Sequence, residues 1–432
     1  MSSSLPSLPG RVSTRERGVV WALLITVLVA LNLRAAVTSL GPVLPGARRE
    51  LGLTAAAASV ATAAPVLCFG VLALVSPWLA RRLGLDRAMG LAVVVLFAGL
   101  LLRPTGGEVT LLLGTMLCCS GIAVANVLLP AVVKDRAPDR VGLVTGAYTA
   151  ALAGGSALAA GITAPLAEAF GLRVSLWVWA APVVLALLVW VPEAWGRRGP
   201  EPGGAVAAAT RHTDDADAFG SVWRSPVGWA LSVLFGTQAT LAYVTMGWLP
   251  TVLQWRGMSA STAGVLLAVS ILVSVPVSAL VPSVAARHYS QVGLVVGLTA
   301  CAAAGLAGLT FAPTGLAWIW AAVLGVGNGV FPLTLTLFNI RARSARETQD
   351  LSAMGQGVGY LLAASGPFLF GVIGASTGSW SAPVLGLLAV LVLQAGAGLV
   401  AGRPRRPTPE LVRPGSTEVE PSATDRRSAA HC

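Results

Sequence analysis

The chain has 432 residues, 55% of them apolar and only 11% charged, whereas a typical soluble protein has about 25% charged residues. Uncharged apolar runs of about 18 residues or more recur along it, each long enough to cross a bilayer. The net charge of +11 does not indicate nucleic-acid binding, because the basic residues lie in short loops between apolar runs. The composition excludes a soluble protein and predicts an all-α integral membrane protein surrounded by lipid.

Twelve apolar segments predict twelve transmembrane helices. The first is too long for the apolar core of a signal peptide and has no cleavage site of small residues after it, so we expect it to be retained. In chain order the segments fall at residues 19–41, 57–80, 88–104, 109–133, 142–166, 173–192, 226–252, 259–285, 292–312, 316–338, 351–375 and 380–401.

The polar segments between the spans predict the domain organisation. We expect two pseudo-symmetric six-helix bundles at 19–192 and 226–401, joined by a Gly-, Pro-, Asp- and Arg-rich cytoplasmic linker at 193–225. Residues 1–18 should form a cytoplasmic tail and residues 402–432 a disordered cytoplasmic tail. The segments on the side of both termini hold 23 Lys and Arg residues, against five on the other side. This bias predicts a multi-pass protein of the cell (inner, cytoplasmic) membrane with both termini cytoplasmic.

The two halves of the chain repeat one another. Asn126 and Pro130 recur after 202 residues, and Pro77 and Arg82 recur after 205 residues. Parallel repeats of six spans are typical of secondary transporters, whose substrate site lies between the halves near the bilayer midplane. We therefore expect a small-molecule substrate that binds between the two bundles.

Arg34 is the only charged residue that lies well inside a predicted span. A buried arginine costs at least about 2.5–3.5 kcal/mol in a bilayer and needs a partner or water, yet no carboxylate of the sequence is placed to neutralise it. One interpretation is that an anionic substrate supplies the missing partner. The alternative is a structural arginine that bonds carbonyls at a helix break near Gly41 and Pro42, or that snorkels outward. Thr38, one turn on, would share its face.

Several neutral polar residues within the spans are further candidates for substrate binding. Each could instead form an interhelical hydrogen bond, which is common in membrane bundles, and the paired asparagines could mark either a cavity pair or a bend shared by both halves. These candidates are Asn126, Tyr148, Gln238, Tyr243, Asn328, Gln356 and Tyr360.

The sequence carries no signature of enzymatic chemistry. It contains no Walker A, HExxH or GxSxG motif, and its five cysteines and three histidines show no metal-ligand spacing or disulfide framework. We therefore expect no enzyme activity, cofactor or metal. No carboxylate or histidine within the spans offers a proton relay. Coupling to a proton that travels with the substrate, substrate exchange and facilitated transport are therefore all possible modes. We expect the protein to be a monomer.

Two stretches carry a resemblance to a known family. The loop from Pro77 to Arg87 (PWLARRLGLDR) resembles the loop between spans two and three of the major facilitator superfamily, although Arg81 stands at the usual aspartate position. The stretch 31–42 (LNLRAAVTSLGP) is similar to the first span of the cyanate porter branch of that superfamily (CynX/NimT), which includes cyanate and 2-nitroimidazole transporters. The resemblance implies twelve spans in two halves and a conformational loop formed by Arg81, Arg82, Gly84, Asp86 and Arg87.

What the resemblance implies is secondary transport of a small anion or a small polar, electron-rich molecule. Combined with the repeat and the charge within the first span, it leads us to expect alternating access with Arg34 in the central cavity. An exporter of lipophilic drugs with the same fold is the main alternative and predicts a wide, aromatic and apolar cavity. A membrane sensor or scaffold is a third class, which would be expected to carry an appended folded domain.

Overall fold

The computed structural model describes residues 14–196, 222–343 and 345–403 of the chain. Most of the predicted linker, the predicted C-terminal tail beyond 403 and residues 1–13 lie outside the described residues. The described part is helical and contains no β-strand. Its α-helices, in chain order, are α1 Thr14–Thr38, α2 Leu40–Glu50, α3 Ala55–Leu83, α4 Leu85–Leu102, α5 Glu108–Arg136, α6 Val141–Phe170, α7 Leu172–Trp177, α8 Ala180–Gly196, α9 Pro226–Trp255, α10 Ala260–Arg287, α11 Val292–Phe311, α12 Ala317–Gly327, α13 Val330–Arg341, α14 Ala345–Thr377 and α15 Ser381–Ala401.

These helices confirm the prediction of twelve spans. In the described residues, eleven helical segments are long and apolar enough to cross a membrane, and the bent pair α1 and α2 makes a twelfth. Helices α7 and α8 together form the sixth span, and α12 and α13 the tenth. We call the first six spans (α1–α8) the N-terminal half and the last six (α9–α15) the C-terminal half. The end of the bundle at which α8 ends and α9 begins is the linker face, and the opposite end is the far face.

Two spans are broken at the level of the bundle centre. The first bends by 45° between α1 and α2, and Ser39 lies at the break. The tenth is interrupted at Asn328 and Gly329, where α12 ends and α13 begins. Broken helices free backbone groups and polar side chains at membrane depth, which a bilayer tolerates only where protein or a polar cavity surrounds them. The breaks therefore indicate where a site can lie.

The buried apolar side chains form two large layers. The layer toward the linker face includes Trp190 and Phe235, and the layer toward the far face includes Leu44 and Trp248. Large apolar side chains on the outside, such as Val392 (73% exposed), face the position of lipid tails.

The halves meet backbone to backbone toward the far face. A Cβ atom at Gly41 of α2 would collide with the carbonyl oxygen of Met246, and one at Gly264 of α10 would collide with that of Ala160. Only glycine permits such an approach of two helices. The glycines thus allow the halves to close on this side of the bundle centre.

Two hydrogen bonds between the halves lie on the same side. Gln254 donates from Nε2 to the carbonyl oxygen of Pro42 at 3.0 Å, and Ser261 donates from Oγ to Oε1 of Glu168 at 2.7 Å. Together with the glycine contacts, they close the far face in this conformation.

Candidate functional site

A cavity of about 210 Å³ lies between the two halves at the level of the broken spans. The N-terminal half lines it from α1 and α6, and the C-terminal half from α9, α10, α14 and the break in the tenth span. Its polar lining residues are Arg34, Thr149, Ser156, Gln238, Tyr243, Thr245, Ser270, Ser274, Ser278, Asn328 and Tyr360. The structure therefore brings together Arg34, Gln238, Tyr243, Asn328 and Tyr360 from the sequence-based candidates.

The cavity opens toward the linker face. Along α6 the lining changes from the buried Ser156 to the exposed Thr149, which is nearer the linker face. Along α10 it changes in the same direction, from the buried Ser270 to the half-buried Ser274 and Ser278. Exposure thus increases toward the linker face, while the far face is closed.

Arg34 is a half-buried cation in the cavity wall. Its Nη1 donates to the sulfur of Met246, across the boundary between the halves, at 3.9 Å, and the phenols of Tyr243 and Tyr360 lie within electrostatic reach of its charge. No carboxylate of the described residues lies within ion-pair distance of it. A thioether is a weak acceptor, so most of the donor capacity of Arg34 stays available to a ligand.

Thr38 shares the face of Arg34 but does not line the cavity. Its side chain is fully buried, and its Oγ1 donates to the carbonyl oxygen of Arg34 at 3.0 Å and lies 2.7 Å from Oγ of Ser156. Thr38 therefore joins α1 to α6 just before the helix break and sets the position of the Arg34 backbone.

Gln238 and Asn328 present unpaired polar atoms in the cavity wall. Gln238 is 1% exposed, and neither its Oε1 nor its Nε2 has a hydrogen-bond partner among the described residues. Oδ1 of Asn328, at the break of the tenth span, is also buried without a partner. Buried polar atoms are almost always hydrogen-bonded in proteins, so these three atoms are suited to a ligand or to water.

An aromatic cluster surrounds the two cavity tyrosines. The ring of Phe69 lies 6.1 Å from that of Tyr243 and 5.9 Å from that of Tyr360, and Phe235 packs edge-on against Tyr360 at 5.1 Å. Phe331, which also lines the cavity, lies 5.8 Å from Phe235. The cluster fixes both phenols and contributes flat apolar surface beside the cation.

The remaining candidates lie outside the cavity wall. Asn126 is half-buried and lies within the continuous helix α5. Its counterpart in the repeat, Asn328, lies at a helix break and lines the cavity. Tyr148 is half-buried and packs on the apolar core. Gln356 donates from Nε2 to Oγ of Ser352 at 2.8 Å within its own helix.

The predicted conformational loop forms a tight turn between α3 and α4. Gly84 adopts a φ of +85°, which a glycine tolerates without strain, while Arg81, Arg82 and Arg87 are exposed. The guanidinium of Arg82 lies over the ring of Trp78 at 5.3 Å.

Asp86, the acid of this loop, pairs with Arg136 at the end of α5. The distance between Oδ1 of Asp86 and Nη2 of Arg136 is 2.6 Å. Trp190 of α8 completes the group, since its Nε1 donates to the carbonyl oxygen of Asp86 at 2.9 Å and its ring lies 4.7 Å from the Arg136 guanidinium. The group ties α4, α5 and α8 together at the linker face of the N-terminal half.

The C-terminal half has a matching group with different chemistry. Gln291 and Arg341 follow Asp86 and Arg136 by 205 residues each, and Nη2 of Arg341 donates to Oε1 of Gln291. Arg341 also donates from Nε to the carbonyl oxygen of Ala401 at 2.7 Å. A neutral amide thus replaces the carboxylate of the N-terminal half.

Sequence reasoning missed a second buried arginine, Arg103. Arg103 directly follows α4, at the end of the predicted third span, and its position there indicated a loop residue. In the structure it is only 1% exposed. Its Nη1 donates to the carbonyl oxygen of Ala36 at 2.8 Å and lies 3.4 Å from Oγ of Ser39. Arg103 therefore stabilises the break in the first span, the structural role that was the alternative for Arg34.

The arrangement is suited to binding rather than to bond chemistry. Its wall combines one cation, amide and phenol groups and aromatic surface, and no carboxylate or histidine is among the residues that line it. The described residues also contain no group of three or more His, Cys, Asp or Glu side chains that could hold a metal ion. Such a wall fits an anion or an electron-rich solute.

Comparisons with known proteins show that relatives of this chain are membrane transporters. The chain is 36% identical to the uncharacterized transporter YycB of Bacillus subtilis (strain 168) over 394 residues, covering 89% of this chain and 94% of that protein. It is 34% identical to the 2-nitroimidazole transporter of Escherichia coli (strain K12), covering 87% and 94% of the two chains. It is 32% identical to the cyanate transport protein CynX of the same organism, covering 83% and 91%.

A comparison with solved structures finds the same fold in another transporter, and a family model identifies the superfamily. The crystal structure of the nucleoside transporter NupG superposes with a TM-score of 0.69 at 14% identity, covering 89% of this chain and 98% of that one. The family model of the Major Facilitator Superfamily matches residues 22–367. The protein is therefore a multi-pass membrane transporter of a small molecule and not an enzyme. The chain belongs to the major facilitator superfamily, in the branch of the 2-nitroimidazole and cyanate transporters.

Proposed function

We propose that this transporter carries a small anionic or strongly electronegative solute, which Arg34 binds in the central cavity. The observation that carries the proposal is a cavity cation with no carboxylate of the described residues in reach. A cation at membrane depth is unfavourable unless a counter-charge or water compensates it. A substrate anion would supply that counter-charge and gain charge-assisted hydrogen bonds.

The neutral groups of the C-terminal half would complete the site. Gln238 and Asn328 would donate from their amide nitrogens, Nε2 and Nδ2, to the polar end of the solute, and Tyr243 and Tyr360 would flank it. The cavity of about 210 Å³ is smaller than the roughly 300–1,000 Å³ typical of drug-sized ligands. Size and charge both favour a small anion over the lipophiles of a drug exporter. The names of the relatives, a cyanate and a 2-nitroimidazole transporter, are consistent with such a substrate.

The transport cycle would be alternating access by rocking of the bundles 19–192 and 226–401 around this cavity. The excess of Lys and Arg assigns the linker face and both termini to the cytoplasm of a cell membrane, so the cavity would face inward in this conformation. Opening the far face would separate Gly41 from Met246 and break the Gln254–Pro42 hydrogen bond. Because no carboxylate or histidine is among the residues that line the cavity, a coupling proton would travel with the substrate, and exchange or facilitated transport would need none.

Thermal-shift binding on the purified full chain tests this proposal. Cyanate, nitrate, short carboxylates and nucleobase-like acids are compared with neutral nitroaromatics and cationic dyes, on wild type, Arg34→Ala and Arg34→Lys. Each variant is referred to its own unliganded melting temperature. We expect at least one anion to stabilise the wild type, to lose its effect in Arg34→Ala and to keep part of it in Arg34→Lys.

The matched control is Arg173→Ala, because Arg173 is exposed at the far face and outside the cavity. It should bind the anion as the wild type does. If only neutral or cationic lipophiles stabilise the protein, and Arg34→Ala binds them equally, the anion proposal is wrong and drug export takes its place.

A further inference from the structure

Arg103 is held by only part of its guanidinium. Its Nη1 bonds the carbonyl oxygen of Ala36, but its Nε is buried without a hydrogen-bond partner among the described residues. Oγ1 of Thr115, on α5, is likewise buried without a partner. Both residues line a small chamber of about 20 Å³, which we call the arginine chamber. Capping the helix break therefore does not account for all the polar groups gathered here.

Among the described residues, no carboxylate balances the positive charge of Arg103. No carboxylate of the described residues lies within ion-pair distance of it, and the other chamber residues are neutral. A buried cation without a compensating charge is among the most unfavourable groups in a protein interior. A water molecule could occupy the chamber, since one needs about 10–15 Å³, but it would leave the charge uncompensated.

The arginine chamber lies between the central cavity and the far face. It shares Tyr243 and Met246 with the cavity, so a single layer of side chains separates the two. Its other walls include Gly41 and Gly247, at contacts between the halves; a Cβ at Gly247 would lie 3.0 Å from Thr62. Separation of the halves on the far face would open these contacts and expose the chamber.

We propose that the arginine chamber binds a small monovalent inorganic anion, of halide size, through Nε of Arg103 and Oγ1 of Thr115. It would be a second anion station between the cavity and the far face. The role as a station rests on the proposed function, whereas binding at Arg103 follows from the chamber itself. The chamber volume limits the ligand to a monatomic ion, so larger anions would use the cavity alone.

Crystals of the full chain in sodium bromide, measured at the bromine absorption edge, test the proposal. We expect an anomalous peak in the arginine chamber within hydrogen-bond distance of Nε of Arg103. Thr115→Val removes the hydroxyl, keeps the side-chain shape and leaves the Arg103–Ala36 hydrogen bond intact. It should lower that peak at least twofold, and Thr115→Ser, which keeps the hydroxyl, should restore it.

The outcomes separate this inference from the proposed function. Bromide at both Arg34 and Arg103 supports both. Bromide at Arg34 with only water in the chamber overturns the second station and leaves the proposed function standing. If bromide is found at Arg103 but no anion stabilises the protein in the thermal-shift experiment, the chamber site is supported and its role in transport is not. If the bromide peak in Thr115→Val is as high as in the wild type, the hydroxyl is not a ligand and the proposed site is wrong.

Discussion

The two halves of the transporter contribute different chemistry to one cavity. The N-terminal half supplies the cation, Arg34, whereas the C-terminal half supplies the amides of Gln238 and Asn328 and the phenols of Tyr243 and Tyr360. Arg34 has its equivalent, 205 residues on, in Ala239, another residue of the cavity wall. The two halves thus share their helices but differ in the residues that line the cavity. A small ligand would contact a charged wall on one side and a neutral wall on the other.

At the linker face the asymmetry recurs in a structural role. Arg136 bonds a carboxylate in the N-terminal half, and Arg341 bonds an amide in the equivalent place of the C-terminal half. In both places an arginine links neighbouring helices. The arginine is therefore common to the two halves, whereas its hydrogen-bond acceptor differs between them. These differences can be tested separately, beginning with the cavity charge.

The largest effect is expected from removing that charge. Arg34→Gln keeps a polar side chain but no cation, and truncating a charged hydrogen-bonded partner typically costs about 2–5 kcal/mol. Uptake of the best-bound anion into proteoliposomes should therefore fall about 100-fold in kcat/KM. Arg34→Lys should lose about tenfold, because a lysine retains the charge but not the two-pronged donor geometry. Equal rates in Arg34→Gln and wild type would show that the C-terminal half alone recognises the solute.

The sequence indicated Arg34 as a cavity residue because a charged residue within an apolar run can be recognised without any knowledge of packing. It predicted the number and place of the spans for the same reason, since hydropathy depends on composition along the chain. It did not tell which face of a span meets the cavity. The spans are apolar around their whole circumference, so Gln238 and Gln356 look alike in sequence although only Gln238 lines the cavity.

Arg103 shows a different reason for failure. An arginine at the end of an apolar run ordinarily faces the interface, where it can snorkel to water. Here the 45° bend of the first span places the Ala36 carbonyl oxygen beside it and buries it. That bend is a tertiary feature, and its only trace in the sequence is the short run Ser39-Leu-Gly-Pro42.

The next largest effect is expected where the halves meet. Gly41→Leu puts a side chain against the Met246 carbonyl oxygen, and overpacking of this kind costs about 1–3 kcal/mol. The variant should shift the equilibrium away from the conformation closed at the far face and reduce uptake about tenfold. The matched control is Gly46→Leu on the same helix, where a Cβ would meet no atom within 4 Å. Unchanged uptake in Gly41→Leu would mean that far-face closure is not part of the cycle.

A smaller effect is expected from the neutral side of the cavity. Asn328→Leu removes an amide that the substrate would bond, and one hydrogen bond contributes about 0.5–1.5 kcal/mol, so anion affinity should fall about threefold to tenfold. Asn126→Leu, the equivalent change in the N-terminal half, should leave affinity unchanged because Asn126 does not line the cavity. Titration of both variants by calorimetry checks this difference. Equal losses would mean that the amides act through helix packing rather than by contact with the solute.

The smallest effects are expected at the linker face, where the acceptors of the two arginines can be exchanged. Asp86→Asn replaces the ion pair by a hydrogen bond from Arg136 to a neutral amide and should lower the melting temperature by a few degrees, since bonds between charged groups are stronger than those with one neutral partner. Gln291→Glu places a carboxylate beside the buried Arg341 and should raise it, and the double variant should lie near the wild type. If Gln291→Glu is destabilising, Arg341 is already fully satisfied by its existing partners. The amide would then be the better acceptor in the C-terminal half, because a buried carboxylate there would lose more hydration than the pairing returns.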